Sequence, residues 1–531
     1  MKFTNTIIAL VLVGSLGGVL YYLNRHPASS TSTDTNPKKK LFSFQPDQVK
    51  EFTLETPDQP SITVRRAESE PTPVPSSGKT PAVGSEKGTN ASTSSSATAA
   101  SSSTTAQKQW EIVSPSGVVG DTSQIQSFVD GLPRIEYTPL EDKTPTSLAE
   151  YGLDQPKKTF KFQLAQGQPI TLSIGKENPS GSAKYATLSS TPGLFLLDSI
   201  DTKDLTDKTL FDLRDKRVIP ASLDKASQIQ LRFDFSGKES AAELEKAKKQ
   251  GLPIKPPKIV VTKQSNGNWE LTDPAVRTDF GDTNYLFTTI TGASMKSVED
   301  ENPKSLAAFG LDRPQIRLEV TTPDGVQTLL VGNKKVKKPE TSEKKEDTEK
   351  KEGEKREEPK PEEVEGYFAK NSQWPTVFVI NQSLYDQLNQ DLDNYRNRYL
   401  FDFETSNARR VEIEGPQGEL RFDRKGEDWF KAANTSTKVD ASKVNGFLDA
   451  VHSLRIQHYT EDKPGRLASY GMDKPWMKVK VTFGEANKEE TVLFGLKDKK
   501  FYAARQDAPS IYELSPSEPD NLQPKLKDLA S

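Results

Sequence analysis

Apolar and polar residues alternate in short runs through most of the chain, and each run is bounded by Pro, Gly, Asp or Asn. On this pattern LFSFQPDQVKEFTLET from Leu41 and SITVRRAE from Ser61 read as two strands. TFKFQLA with ITLSIG, QIRLEVTT with TLLVG, and MKVKVTF with TVLFG continue it. KYATL with GLFLLD, GYFAK with TVFVIN, and KFYAA with SIYEL add one further pair each. Elsewhere the apolar period lengthens to that of a helix: Ile125, Phe128, Val129 and Leu132; Leu286, Phe287 and Ile290; Val444, Phe447, Leu448 and Val451. Asp121, Asp279 and Asp440 stand where N-caps belong, so each segment is expected to be a helix laid on a sheet.

One run fits neither period. Thr6 to Leu23 is eighteen uncharged, mostly apolar residues, long enough to span a bilayer. The YYLNRHP that follows has no small-residue cleavage site, so an uncleaved anchor is expected, with Tyr21 and Tyr22 at the interface. A strict count of Lys2 against Arg25, Lys38, Lys39 and Lys40 would place the bulk of the chain in the cytoplasm, but long domains translocate largely regardless of flanking charge, which favours an extracytoplasmic body at the plasma membrane.

A twelve-residue stretch recurs: PTSLAEYGLDQP from Pro145, PKSLAAFGLDRP from Pro303 and PGRLASYGMDKP from Pro464. Proline suits a first helical position, and glycine a left-handed helix end. The expected element is therefore a helix of about a turn and a half, starting at the proline and closed by Gly152, Gly310 or Gly471. Leu153, Leu311 and Met472 would pack back on it. Pro156, Pro314 and Pro475 forbid continuation and push the chain into a strand. Trp110, Trp269 and Trp429 recur 159 and 160 residues apart, and tryptophan to glycine is 42, 41 and 42. Such constancy argues a duplicated domain, since solenoid periods run from about 20 to 50.

The expected fold is α+β: three tandem modules of antiparallel strands, each packed with one longer and one short helix, behind one N-terminal transmembrane helix. The boundaries read as an anchor over 1–27, a tether over 28–40, and modules over 41–216, 217–402 and 403–531. Residues 70–108 are Ser, Thr, Ala and Pro with almost no apolar side chains and should not order. Residues 334–363 hold eleven basic and eleven acidic residues and read as a solvated insert, as does SAAELEKAKKQ within 237–257.

Composition then removes function classes. A net charge of −3 gives no basic footprint for nucleic acid. Zero cysteines exclude disulfides, thiolate metal sites and cysteine nucleophiles. Asp154, Asp312 and Asp473 place one carboxylate at each corner, whereas carboxylate catalysis needs a pair with separated pKa values or a metal; a turn-forming role is the simpler reading. His452 and His458 are six apart, not the i, i+4 spacing of a metal pair on a helix. The three tryptophans read as packing anchors. No catalytic residue, cofactor site or metal site is expected.

Paired opening strands, a W-E-I/L strand, a helix and the YGLD-x-P corner together resemble the domain-of-unknown-function 4340 (DUF4340) family in three copies. The third departs with Met472 and with WFK at Trp429. The resemblance implies a setting beside gliding-type ABC transport systems, with a transporter or envelope component as protein partner, and it brings no catalytic residues. The expectation is a non-enzymatic binding or scaffolding protein. The alternatives are a carboxylate-dependent hydrolase of envelope glycan and a passive envelope-glycan binder using exposed tryptophans.

Overall fold

The computed structural model describes residues 37–67, 110–140, 147–236, 241–243, 245–246, 255–337, 363–432, 437–462, 466–508 and 510–531. The expected anchor at Thr6 to Leu23, the insert 70–108 and residues 338–362 of the charged insert lie outside them, as do Pro145 and Pro464. Among the described residues no helix is long and apolar enough to cross a membrane. The chain forms two compact units, Met1–Asp215 and Lys216–Ser531.

Alternation produces three antiparallel sheets with one repeated plan. In each module β1 (Val49–Glu55, Gln228–Phe233, Ala408–Gly415), β2 (Ile62–Arg66, Lys258–Lys263, Gly418–Lys425) and β3 (Trp110–Ser114, Trp269–Asp273, Asp428–Lys431) form a meander. Helix α1 (Thr122–Gly131, Phe280–Thr291, Ala441–His452) leads to β4 (Glu136–Pro139, Ser297–Asp300, His458–Glu461). After the corner come β5 (Lys158–Leu164, Ile316–Thr322, Met477–Phe483) and β6 (Ile170–Glu177, Gly325–Val336, Lys488–Lys497). Then follow β7 (Ala183–Leu188, Val364–Asn371, Lys500–Arg505) and β8 (Thr191–Asp198, Val377–Ile380, Ile511–Leu514). The spatial order is β3-β2-β1-β5-β6-β7-β8-β4 in all three, so β1 pairs with β5 at the centre and α1 carries the chain from one edge to the other. A short strand is added at one edge of two sheets: Lys39–Lys40 beside β4 of the first, Lys438–Val439 beside β3 of the third.

Each sheet buries one face. Phe52, Phe160, Phe162 and Leu172 pack with Ile125 and Val129 of α1 in the first module; Val411, Phe422, Val479 and Val492 pack with Val444, Phe447 and Leu448 in the third. Charge pairs lace the opposite face, such as Glu51 with Arg65 at 2.7 Å, Glu55 with Lys161 at 2.6 Å and Glu414 with Lys478 at 2.9 Å. Asp121, Asp279 and Asp440 cap α1, each accepting from the N–H two residues on at 2.9 Å.

Four expectations change. The corner helix is a single 3-10 turn, and Pro303 lies outside it, because the closing bonds start at the leucine and need no earlier residue. The first opening strand starts only at Val49; Leu41, Phe42 and Phe44 are buried but lead in through a 3-10 turn at Pro46–Gln48. β6 of the second module runs to Val336, three residues into the expected charged insert, where Lys335 pairs with Glu299 at 2.7 Å and Glu365 at 3.4 Å. A further helix follows β8, at Gln382–Leu388 and Glu518–Ala530; the first module has only two four-residue turns there, Lys203–Thr206 and Leu210–Leu213.

Candidate functional site

The corner is built almost entirely from backbone. Gly152, Gly310 and Gly471 have φ of +65°, +68° and +71°. The Leu153 N–H donates to Leu148 O at 3.0 Å and the Gly152 N–H to Ala149 O at 3.1 Å; Leu311 with Leu306, Gly310 with Ala307, Met472 with Leu467 and Gly471 with Ala468 repeat the pair at 3.1–3.2 Å. These are the two bonds of a Schellman ending. Leu153, Leu311 and Met472 are buried beneath it, and β5 begins two residues after Pro156, Pro314 and Pro475.

Sequence reasoning missed what the corner rests on. A Cβ on Gly175 would lie 2.1 Å from Tyr151 O, one on Gly332 2.2 Å from Phe309 O, and one on Gly495 2.0 Å from Tyr470 O. These glycines close the ITLSIG, TLLVG and TVLFG runs of β6, so their recurrence was the visible signal. The aromatic residue before each motif glycine meets one on β7 edge-on: Tyr151 with Tyr185 at 4.8 Å, Phe309 with Phe368 at 5.2 Å, Tyr470 with Tyr502 at 5.1 Å.

Asp154, Asp312 and Asp473 stand exposed beside this turn. Trp110, Trp269 and Trp429 are buried at 3%, 1% and 0% exposure. Trp110 Nε1 donates to Gln126 Oε1 at 2.8 Å and Trp429 Nε1 to Asn445 Oδ1 at 3.0 Å, which ties β3 to α1; Trp269 meets Phe287 of its helix at 4.8 Å. His452 packs on Phe403 with ring centroids 5.7 Å apart, and His458 is exposed on β4, so the two do not converge. Among the described residues no group of three or more His, Asp or Glu could hold a metal.

Among the described residues a dense convergence of charge joins the second and third modules, inside the second unit. Arg396, with 4% of its side chain exposed, lies on the linker between them. Its guanidinium reaches Asp462 of the third module through both terminal nitrogens, Asp393 at 3.4 Å and Ser510 Oγ at 3.4 Å, and lies 3.8 Å over the Tyr459 ring. Ser510 Oγ donates to Asp462 Oδ1 at 3.0 Å. Burial raises the Asp393 pKa, and the arginine beside it only partly offsets that cost. Arg277, just before α1 of the second module, donates to Tyr399 O at 2.6 Å and pairs with Asp402.

Deeper in the third module Arg505 donates to Leu400 O at 2.8 Å and forks onto Asp507 at 2.6 and 2.8 Å, with Glu490 3.5 Å away. Burial would lower the Arg505 pKa, but Asp507, Glu490 and Asp402 overcome it and raise it. For Glu490 burial wins over Arg505, and its pKa also rises. An open cleft at this junction is lined by Glu270, Ala275, Arg277, Asp507 and Ser510, of which Arg277, Asp507 and Ser510 are bonded within the junction. The arrangement fixes two modules together. Arg214 holds the matching place in the first unit, buried and bridged to Gly120 as Arg396 is to Thr278.

The family described as Domain of unknown function (DUF4340) matches residues 110–280, 358–459 and 429–531. No curated protein and no solved structure matches the chain.

Proposed function

The chain belongs to the DUF4340 family, whose description assigns no activity, and from that premise we propose that it is a membrane-anchored, extracytoplasmic scaffolding or binding protein. Thr6 to Leu23 would be the anchor, and a gliding-type ABC transporter or another envelope component the protein partner. The observation that carries this reading is how the recurrent residues are used. Glycine, leucine and proline of the corner close a turn on β6, the tryptophans tie β3 to α1, and Arg396 joins the second module to the third. What is repeated is architecture.

A carboxylate-dependent hydrolase draws no support from the corner, where one exposed carboxylate stands beside a turn made by backbone bonds. Glycan stacking through Trp110, Trp269 or Trp429 is not supported either, because those rings are buried.

The test is affinity purification of the tagged full chain from gently solubilised membranes, with an anchor-deleted chain as control. Recovery of a stoichiometric transporter or envelope protein with the full chain is expected; recovery of none would sink the reading. Protease cleavage within 70–108 in cells with a permeabilised outer envelope reports the orientation.

A further inference from the structure

The segment just before α1 is covered in two modules and open in the third. In the first unit the Asp215 N–H donates to Val119 O at 2.8 Å and the Asp121 N–H to Leu213 O at 2.8 Å, around the bridge between Gly120 and Arg214. In the second module the Asn397 N–H donates to Arg277 O at 3.0 Å and the Asp279 N–H to Tyr395 O at 2.8 Å, around the bridge between Thr278 and Arg396. The counterparts in the third are Lys438, Val439 and Asp440. There Val439 pairs with Trp429, and the Lys431 N–H donates to Thr437 O at 3.1 Å. Bonding direction alternates along an antiparallel strand, so Lys438 C=O and Asp440 N–H point away from β3. Both residues are exposed, and among the described residues no strand lies on that side.

The complement is found at the other end of the described chain. Lys39–Lys40 runs antiparallel to β4 of the first module, with Lys39 opposite Tyr137 and the Leu41 N–H donating to Ile135 O at 2.8 Å. The same alternation turns Lys40 N–H and Lys38 C=O outward. Lys216 O accepts from the Met295 N–H at 2.7 Å and Arg398 O from the Ile456 N–H at 2.9 Å, so Lys216 and Arg398 occupy the place of Leu41. Counting back one and three residues, Lys40 stands where Asp215 and Asn397 do, and Lys38 where Leu213 and Tyr395 do. Those are the four residues that cover the pre-helix segments of the first two modules. Lys38, Lys39 and Lys40 are exposed.

We infer that copies of this chain associate head to tail, the Lys38–Lys40 strand of one adding to the Lys438–Asp440 edge of the next. Lys40 N–H donates to Lys438 O, Asp440 N–H donates to Lys38 O, and Lys39 lies opposite Val439. The two surfaces differ, so the contact is heterologous and passes from each copy to the next. It concerns self-association and does not depend on the identity of any transporter partner.

The absence of native cysteine makes the test direct. Opposed residues on neighbouring strands lie about 4.5–5.5 Å apart, within disulfide reach. In the full chain in membranes, Lys39→Cys with Val439→Cys is expected to give, on mild oxidation, a ladder of covalent dimers, trimers and higher species that reductant collapses. Adding Lys40→Pro, which deletes only an outward N–H, should abolish the ladder while circular dichroism stays unchanged. Monomer alone from the double variant overturns the proposal. Dimers from either single-cysteine variant overturn it in favour of symmetric pairing, and a ladder that survives Lys40→Pro shows that this strand edge is not the link.

Discussion

At the scale of single residues, two glycines of the third module make opposite predictions. Gly495 lies under the corner, where a methyl group would stand 2.0 Å from a backbone oxygen. Gly446 lies inside α1 with nothing within 4 Å of the place a Cβ would take. Gly495→Ala must displace the corner and should destabilise by about 2–3 kcal/mol, the usual cost of overpacking. Gly446→Ala should stabilise by about 1 kcal/mol through helix propensity. Urea denaturation midpoints check both, and equal effects would contradict the close contact.

Lys255 gives a pH dependence with an unusual sign. Its Nζ donates to Asn389 Oδ1 at 2.8 Å and lies 4.2 Å over the Phe233 ring. Burial lowers its pKa to about 8, beneath the value of about 10.4 expected in the unfolded chain. The unfolded state therefore binds more protons between these values, and the group's contribution to stability rises with pH across that window. Below pH 8 the full cost of burying the ammonium is present, about 3 kcal/mol at ~1.4 kcal/mol per unit. Relative to Lys255→Met, the native chain should gain most of this between pH 7 and pH 10, measured by denaturant unfolding. A difference that stays flat with pH would refute it.

At the scale of elements, the α1 cap is the simplest test. Asp121 Oδ1 accepts from Ser123 N–H at 2.9 Å and Gln124 N–H at 3.0 Å. Asp121→Ala should cost about 1 kcal/mol and Asp121→Asn much less, since asparagine keeps the acceptor; equal losses would argue that charge, not capping, matters there. The same cap was legible in the sequence, as were α1 and strands β5 to β8, because one-sided burial writes its period into the residues. Glu518–Ala530 was not legible. Leu522, Leu526 and Leu529 are buried at helical spacing, but Pro524 interrupts the pattern, and tertiary packing holds the helix despite it. The corner's glycine ending was legible, but the helix expected before it is a single 3-10 turn, and its contact with β6 showed only in the recurrence of Gly175, Gly332 and Gly495, since a glycine's neighbour across a fold leaves no periodicity in its own strand.

At the scale of the whole molecule, the linker arginine decides whether the second and third modules behave as one body. Nothing in RNRYLFDFE marks Arg396 as buried, because the carboxylate it meets, Asp462, lies 66 residues away. Asp462 is still 38% exposed, so water screens part of the pair. Arg396→Met leaves Asp393 and Asp462 without their cation and should cost about 2–3 kcal/mol, less than a fully buried pair would. Arg396→Lys should recover little, because an ammonium cannot span Asp393, Asp462 and Ser510 together as the guanidinium fork does. Unfolding of the second unit should then separate from one transition into two, with new proteolysis between residues 389 and 403. If Arg396→Met unfolds in a single transition at the native midpoint, the junction is held by apolar contacts such as Leu400 and Phe401, and the arginine is a passenger in it.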